Sequence, residues 1–534
     1  MITAIELENF RGFGKRQRIE LCPITLLYGA NSAGKSAVLH ALLFLHEFLV
    51  MRNESPERSE LGGRFVHFGS YRDLVHGGDV KSSVRIKIEM FFDWRTNGMD
   101  WGHGYSIAEF EAKEDADKIA IEFVFESLDN RPAISEYIFL LGNKPIVTAS
   151  LLSTYEDGSR KYSCFRYGDE FNLSLSYRGD HPCCPRDVDW PNETDEVIGC
   201  KGRIISGTGF IDSLDLIVQP EADVRYTASR KRNFFLGWLV GITSQLQHNL
   251  ENLTALGPLR DIPTEFYARR RRDPSRVASG LAAWDRLADL TPSELRTFNL
   301  WLGPNGLDLG YTMFPVIFMP ADGWTDEDGT FRYSKDSLRW DLIENERGSI
   351  SNEVMRRIEF ARISDTKNAS CSIDQRLLPT SIGVGLSQIV PVIYHCLAPK
   401  RNRKFSATFV TIEQPELHLH PKAQTRLGDL FVTCFGDGEN SLADSENHVS
   451  DDQAIIETHS EHLLLRILRR IRETTNKELP EGAPAMNPDG VAVYYFKSSP
   501  QGIEANRLRI NEEGEFLDPW PDGFFEERIG ELFS

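Results

Sequence analysis

The sequence predicts an α/β fold: a phosphate-loop strand-and-helix unit, an antiparallel β subregion, and a mainly helical insertion. Three observations predict it. The apolar run Ile24-Thr-Leu-Leu-Tyr28 enters a glycine-rich loop and leaves it as the helix-forming stretch Ala37–Leu45. Far downstream, two more apolar runs, Phe405–Glu413 and Ala454–Glu457, each turn into a helical pattern. Between about 80 and 215 the chain instead alternates apolar and polar residues, as in Ser83–Phe92, Ile119–Phe125 and Phe171–Tyr177. That is the period of half-buried antiparallel strands.

The loop after Tyr28 reads Gly29-Ala30-Asn31-Ser32-Ala33-Gly34-Lys35-Ser36, a complete G-x-x-x-x-G-K-S pattern. Strand, glycine loop and helix are the context this motif requires. Its glycines let backbone N–H groups close around phosphate oxygens, and the helix N-terminus adds partial positive charge. Lys35 is placed to reach the β- and γ-phosphates of ATP, and the Ser36 hydroxyl to hold Mg²⁺.

The run Phe405–Glu413 continues as Gln414-Pro-Glu416-Leu-His-Leu-His420-Pro421. An acid at the C-terminal end of a β-branched strand is how a Walker B carboxylate reaches Mg²⁺. Pro421 suits the first turn of a helix over 422–435. "Strand then acid" is a weak pattern, but the whole string I-E-Q-P-E-L-H-L-H-P is specific. It resembles the Walker B and D-loop of ABC-type ATPases of the RecF/SMC/OLD group, where D-E-P-E-x-H-L-H-P is common.

The resemblance extends to other segments. Ser381-Ile-Gly383-Val-Gly385, opening an apolar helix before Glu413, lies where that group carries its signature. There it implies that Ser381, Gly383 and Gly385 approach the γ-phosphate held by a second subunit. Glu457-Thr-His459-Ser-Glu-His462 resembles the switch segment, with His459 as the switch histidine. A neutral imidazole there could bond the γ-phosphate or the attacking water. Further matches are Ile5–Phe13, Phe68–His76, Leu256-Gly-Pro-Leu-Arg260 and the terminal Trp520–Glu527.

Two departures bear on mechanism. Gln414 stands where most ABC ATPases place the catalytic Glu, and an amide can orient water but not take its proton. Either hydrolysis is slow or Glu416 is the base. No Gln stands at the Q-loop position, where Ser70 and Asp73 are the nearest candidates.

Lys35 and Glu413 lie about 380 residues apart, as in heads whose lobes come from the two ends of a chain. The expected divisions are 1–80 (Walker A), 81–220 (antiparallel β), 221–375 (mainly helical insertion), 376–475 (signature, Walker B, switch histidine) and 476–534 (C-terminal cap). Residues 436–452 read as a surface loop.

The net charge of −19 argues against general coating of nucleic acid. Arg269–Arg272, Lys400–Lys404 and Arg466–Arg472 remain candidate backbone contacts for DNA. No apolar run approaches the roughly 18 residues of a membrane span. Eight scattered cysteines fit a reduced cytoplasmic protein.

The resemblance implies a homodimeric ATPase that senses or handles DNA and controls a separately encoded effector, a nuclease, as in Septu-type antiphage defence. Only 74 residues follow Ser460, too few for the TOPRIM nuclease domain of OLD proteins. A RecF-like repair ATPase and an ATP-gated scaffold without nucleic acid are the competing expectations.

Overall fold

The computed structural model describes residues 1–31, 33–53, 56–91, 118–141, 143–154, 160–162, 166–167, 242–263, 274–318, 323–325, 331–333, 355–365, 370–397, 408–436 and 452–521.

The core is a six-stranded sheet assembled from both ends of the chain. Its order is Leu253–Leu256, Phe409–Glu413, Gln453–Glu457, Ile24–Gly29, Val491–Ser499 and Gly502–Leu508. The first five strands are parallel and the last is antiparallel. Strands buried on both faces read as continuous apolar runs, which is why Ile24–Tyr28 and Ala454–Ile456 show no alternation.

The alternation lies instead in a second, wholly antiparallel sheet. Ile2–Glu8 pairs there with Gln17–Glu20 and Val84–Phe91, and Lys118–Leu128, Arg131–Leu141 and Lys144–Thr154 follow in turn. The helix Lys35–Leu49 is buried almost all round, as a helix clasped on several sides must be. Phe44 and Phe48 meet Phe125 of the antiparallel sheet at ring separations of 5.1 and 5.2 Å. Leu27, Ile455 and Tyr494 join the same core from one face of the central sheet.

Alternate residues of those strands, Leu26, Ile456 and Val493, enter a second core on the opposite face. The helices Val384–Leu397, Pro421–Phe435 and Glu461–Thr475 pack there. The phosphate-loop helix and the signature helix thus occupy opposite faces of one sheet.

Two spans carry elements in addition to those the sequence predicts. The span 221–375 holds strands as well as helices among the described residues. It has helices over 242–251, Leu281–Leu287 and Pro292–Leu302, but also a sheet of Tyr311–Phe318, Met355–Asp365 and Ser370–Leu377. Its strand Leu253–Leu256 belongs to the core sheet. The span 476–534 is more than a cap, because Val491–Ser499 lies directly beside the phosphate-loop strand. Trp520 packs edge-on with its ring 5.6 Å from Tyr28 and 6.0 Å from Tyr495.

No described helix is long and apolar enough to cross a membrane. Cys22 is half-buried, and Cys396 and Cys434 are buried. Phe171–Tyr177, Arg269–Arg272, Lys400–Lys404, Asp522, Glu526, Glu527 and nearly all of 436–452 lie outside the described residues.

Candidate functional site

In a parallel sheet the carboxyl ends of the strands open onto a crevice where ligands bind. Three neighbouring strands end here in Gly29, Glu457 and Glu413. Register sets Glu413 directly opposite Glu457, and Glu457 opposite Leu27.

The loop after Gly29 is shaped by close packing. Gly29 has φ 143° and Gly34, which caps the helix, has φ 93°, both in the region that favours glycine. A Cβ on Gly29 would lie 2.5 Å from the Phe496 carbonyl oxygen, and one on Gly34 1.8 Å from Ile503. The C-terminal hairpin therefore presses directly on the loop. Asn31 is exposed, Ala33 is buried, and Ser32 lies outside the described residues.

Lys35 is folded back into the loop. Its Nζ donates to the carbonyls of Gly29 at 3.1 Å and Ala30 at 2.9 Å. It also lies 3.7 Å from Glu457 Oε1, with both side chains buried. Burial pulls the ammonium's pKa down, while Glu457 and Glu416 oppose that shift. The Ser36 hydroxyl donates to Glu457 Oε2 at 2.7 Å.

The carboxylate of Glu413 makes no hydrogen bond among the described residues. Burial first, and the neighbouring Glu457 second, push its pKa up to about 8, against a smaller opposing pull from Arg260. Two adjacent carboxylates and a hydroxyl, all oxygen donors, form a set that suits a hard cation such as Mg²⁺. Ser36, Glu413 and Glu457 are the residues that would hold it.

Gln414 is half-buried in a left-handed turn with φ 46°. Its N–H donates to the Glu457 carbonyl at 2.7 Å. Glu416 is buried, and its Oε1 accepts the His459 N–H at 2.7 Å. Burial raises the Glu416 pKa, partly offset by that bond. His459 follows the central strand as expected, and burial together with Lys35 lowers its pKa, so the imidazole is neutral at pH 7. Ser460 caps the next helix by accepting the Leu463 N–H at 3.2 Å.

The signature residues are not brought to this crevice. Ser381 ends an exposed turn, and a Cβ on Gly383 would meet nothing within 4 Å. Val384 beside it is 52% exposed. Gly385 differs, since its Cβ would come 2.5 Å from the His418 carbonyl oxygen. That glycine is accounted for by packing within the chain. A cavity of about 390 Å³ lies here, lined by Leu307, Tyr311, Gly383, Gly385, His418 and Lys422 among others.

Sequence reasoning gave no role to two residues. Glu457 ends an apolar run in an acid, the same signal that singled out Glu413. Arg260 stood only within a matching string. It is buried, it donates from Nη2 to the Glu413 carbonyl at 2.7 Å, and its backbone is clamped by Gln388 of the signature helix at 2.9 and 2.6 Å. Among the described residues, Nε and Nη1 of Arg260 have no hydrogen-bond partner. Burial lowers its pKa to about 10, against the pull of Glu416 and Glu413.

Other candidates are structural. Asp73 accepts from the Ser70 N–H and hydroxyl, both at 2.8 Å, as a helix capping box. Within Arg466–Arg472, Arg466 and Arg470 pair with Asp429, and Arg469 and Arg470 with Glu473. Two acids thus pair with these three arginines and offset part of their charge. Asp518 is held by Arg509 at 2.7 Å.

Three family models match the chain. An "AAA domain" covers residues 4–162, an "AAA ATPase domain" residues 337–464, and "Protein of unknown function (DUF3696)" residues 486–534. The first contains Lys35 and Ser36, and the second contains Glu413, Glu457 and His459. Among curated proteins, Arcadin-4 of Pyrobaculum calidifontis is 33% identical over 84 residues. That match takes in 15% of this chain and spans only a tenth, 10%, of the relative's length. Similar solved structures include an SMC head bound to the C-winged helix domain of ScpA, at 11% identity and TM-score 0.37, covering 95% of this chain and 98% of that one. The SMC head domain from Thermotoga maritima has 10% identity and TM-score 0.34, over 95% and 99% of the two chains. An SMC head with an extended coiled coil, bound to the C-terminal domain of ScpA derived from Pyrococcus furiosus, has 10% identity and TM-score 0.35, over 99% and 98%. The two AAA models cover the residues on both sides of the crevice.

Proposed function

We propose that the chain binds ATP with Mg²⁺ at the carboxyl ends of its central strands and hydrolyses it as a head-to-tail homodimer. The convergence of Lys35, Ser36, Glu413 and Glu457 from three adjacent strands carries the nucleotide reading. Lys35 and the loop N–H groups bind phosphate, and Gln414 orients the attacking water. Mg²⁺ supplies charge neutralisation on the phosphate oxygens. Glu416 acts as a positioning residue, since its carboxylate fixes the backbone of His459 and with it a neutral imidazole facing the phosphates.

The dimer reading is supported by the two faces of the sheet. The signature helix lies on the face opposite the phosphate-loop helix, and Gly383 and Val384 meet open space. A second copy would bring its own Gly383 to this chain's ATP. Mixing Gly383→Glu chains with Lys35→Ala chains tests it. A mixed dimer has one doubly damaged site and one intact site, so ATPase activity is expected to return. A verified mixed dimer as inactive as its parents would sink the shared-site reading.

The sequence resemblance carries this one step further, to DNA-responsive control of a separately encoded nuclease. ATP turnover that rises on adding short duplex DNA would support that step, and unchanged turnover would remove it.

A further inference from the structure

We infer that Glu457, at the end of the strand between those of the phosphate loop and Glu413, is a ligand for the Mg²⁺ of bound ATP, alongside Ser36 and Glu413. The inference rests on the nucleotide reading above and assigns its metal site a residue outside the Walker motifs.

Glu457, not Glu413, holds the Ser36 hydroxyl, at 2.7 Å. Glu457 also lies 3.7 Å from Lys35 Nζ. The in-register pairing sets Glu413 and Glu457 side by side on neighbouring parallel strands, roughly 4.8 Å apart, with both side chains on one face. The bond from the Gln414 N–H to the Glu457 carbonyl, at 2.7 Å, carries the pairing one residue beyond the strands and fixes both acids at the crevice.

Mg²⁺ prefers one or two carboxylates together with phosphate oxygens and water. Lys35 pairs with Glu457, while the neighbouring Glu413 carboxylate has no ion pair among the described residues, and a divalent cation between the two acids would balance its charge. Glu457 keeps the Ser36 hydroxyl and the Lys35 ammonium together. Bound MgATP would offer Lys35 phosphate oxygens in place of the carbonyls of Gly29 and Ala30, and would offer Glu457 the metal in place of the Ser36 hydroxyl. A purely structural Glu457 would support the fold and leave metal affinity untouched.

The test uses the full chain, Mn²⁺ as probe and a non-hydrolysable ATP analogue. Affinity for the analogue is measured without metal, and Mn²⁺ affinity of the analogue complex by electron paramagnetic resonance. Glu457→Gln is expected to bind the metal-free analogue at least as tightly as the unaltered protein, because one negative charge near the phosphates is gone. Its Mn²⁺ affinity is expected to fall about 10- to 100-fold, at least as far as that of Glu413→Gln. Glu457→Asp, which keeps the charge and shortens the reach, is expected to fall between them and covers the case in which the Gln variant does not fold. Unaltered Mn²⁺ affinity in whichever of these Glu457 variants folds would overturn the inference while leaving the nucleotide reading standing. Failure of the unaltered protein to bind the analogue would overturn the nucleotide reading itself, and this inference with it.

Discussion

The phosphate-loop corner and the signature corner lie on opposite faces of one sheet and differ in how far the chain satisfies them by itself. At the phosphate loop, Lys35, Ser36, Glu457, Gln414, Glu416 and His459 are joined by bonds between elements more than 400 residues apart in places. At the signature corner, a Cβ on Gly383 would meet nothing within 4 Å among the described residues, and Val384 presents an apolar side chain to solvent. One corner is closed by its own side chains. The other, among the described residues, leaves a glycine and an apolar side chain open, where the proposed second copy would dock. Arg260 joins the two, bonded through its backbone to the signature helix and through its guanidinium to the end of the Walker B strand.

The largest effect is expected from breaking the first corner. Lys35→Ala should weaken ATP binding by about 2–5 kcal/mol, the range for truncating one member of a buried charged pair, read by isothermal titration. Gly383→Glu breaks only the second corner. It should keep the parent's ATP affinity and thermal stability while losing steady-state hydrolysis, and lost ATP affinity would mean that Gly383 serves its own site.

Within the first corner, Glu416→Ala should leave the His459 N–H without its acceptor and cost about 1–3 kcal/mol of stability, with hydrolysis greatly slowed. Glu416→Gln keeps an acceptor oxygen and should retain most turnover. Turnover as low in the Gln variant as in the Ala variant would make Glu416 the base instead. Within the second corner, two glycines only two residues apart should part company. Gly385→Ala forces a Cβ against the His418 carbonyl and should destabilise by about 1–3 kcal/mol in urea unfolding. Gly383→Ala should stay within about 0.5 kcal/mol of the parent.

A further effect is a pH slope confined to the first corner. Glu413 titrates near pH 8 when folded, against an ordinary value of 4.5. Between those values the folded chain holds a proton that the unfolded chain has lost, so stability falls as pH rises through that window. The slope is on the order of 1 kcal/mol per pH unit. Urea midpoints of the nucleotide-free protein at pH 5, 6 and 7 should decline, and Glu413→Gln should flatten the trend.

What the sequence determined by itself is local. The phosphate loop is legible because its function needs eight contiguous residues with glycine at the two tight backbone positions. The Walker B string and the helix after Pro421 are legible for the same reason, and the antiparallel region shows in its period of two. The tertiary structure decided the rest. Glu413 and Glu457 end similar apolar runs, and only the strand order places Glu457 next to the phosphate-loop strand and onto Ser36. The arginines at 466, 469 and 470 read as a basic surface until Asp429 on a neighbouring helix pairs with two of them. Val491–Ser499 became a core strand, and Leu253–Leu256 an edge strand, by pairing with residues far away in the chain. A short apolar run records that it will be buried. Which neighbour it pairs with depends on hydrogen bonds and contacts between distant segments, and no local pattern of residues encodes that choice.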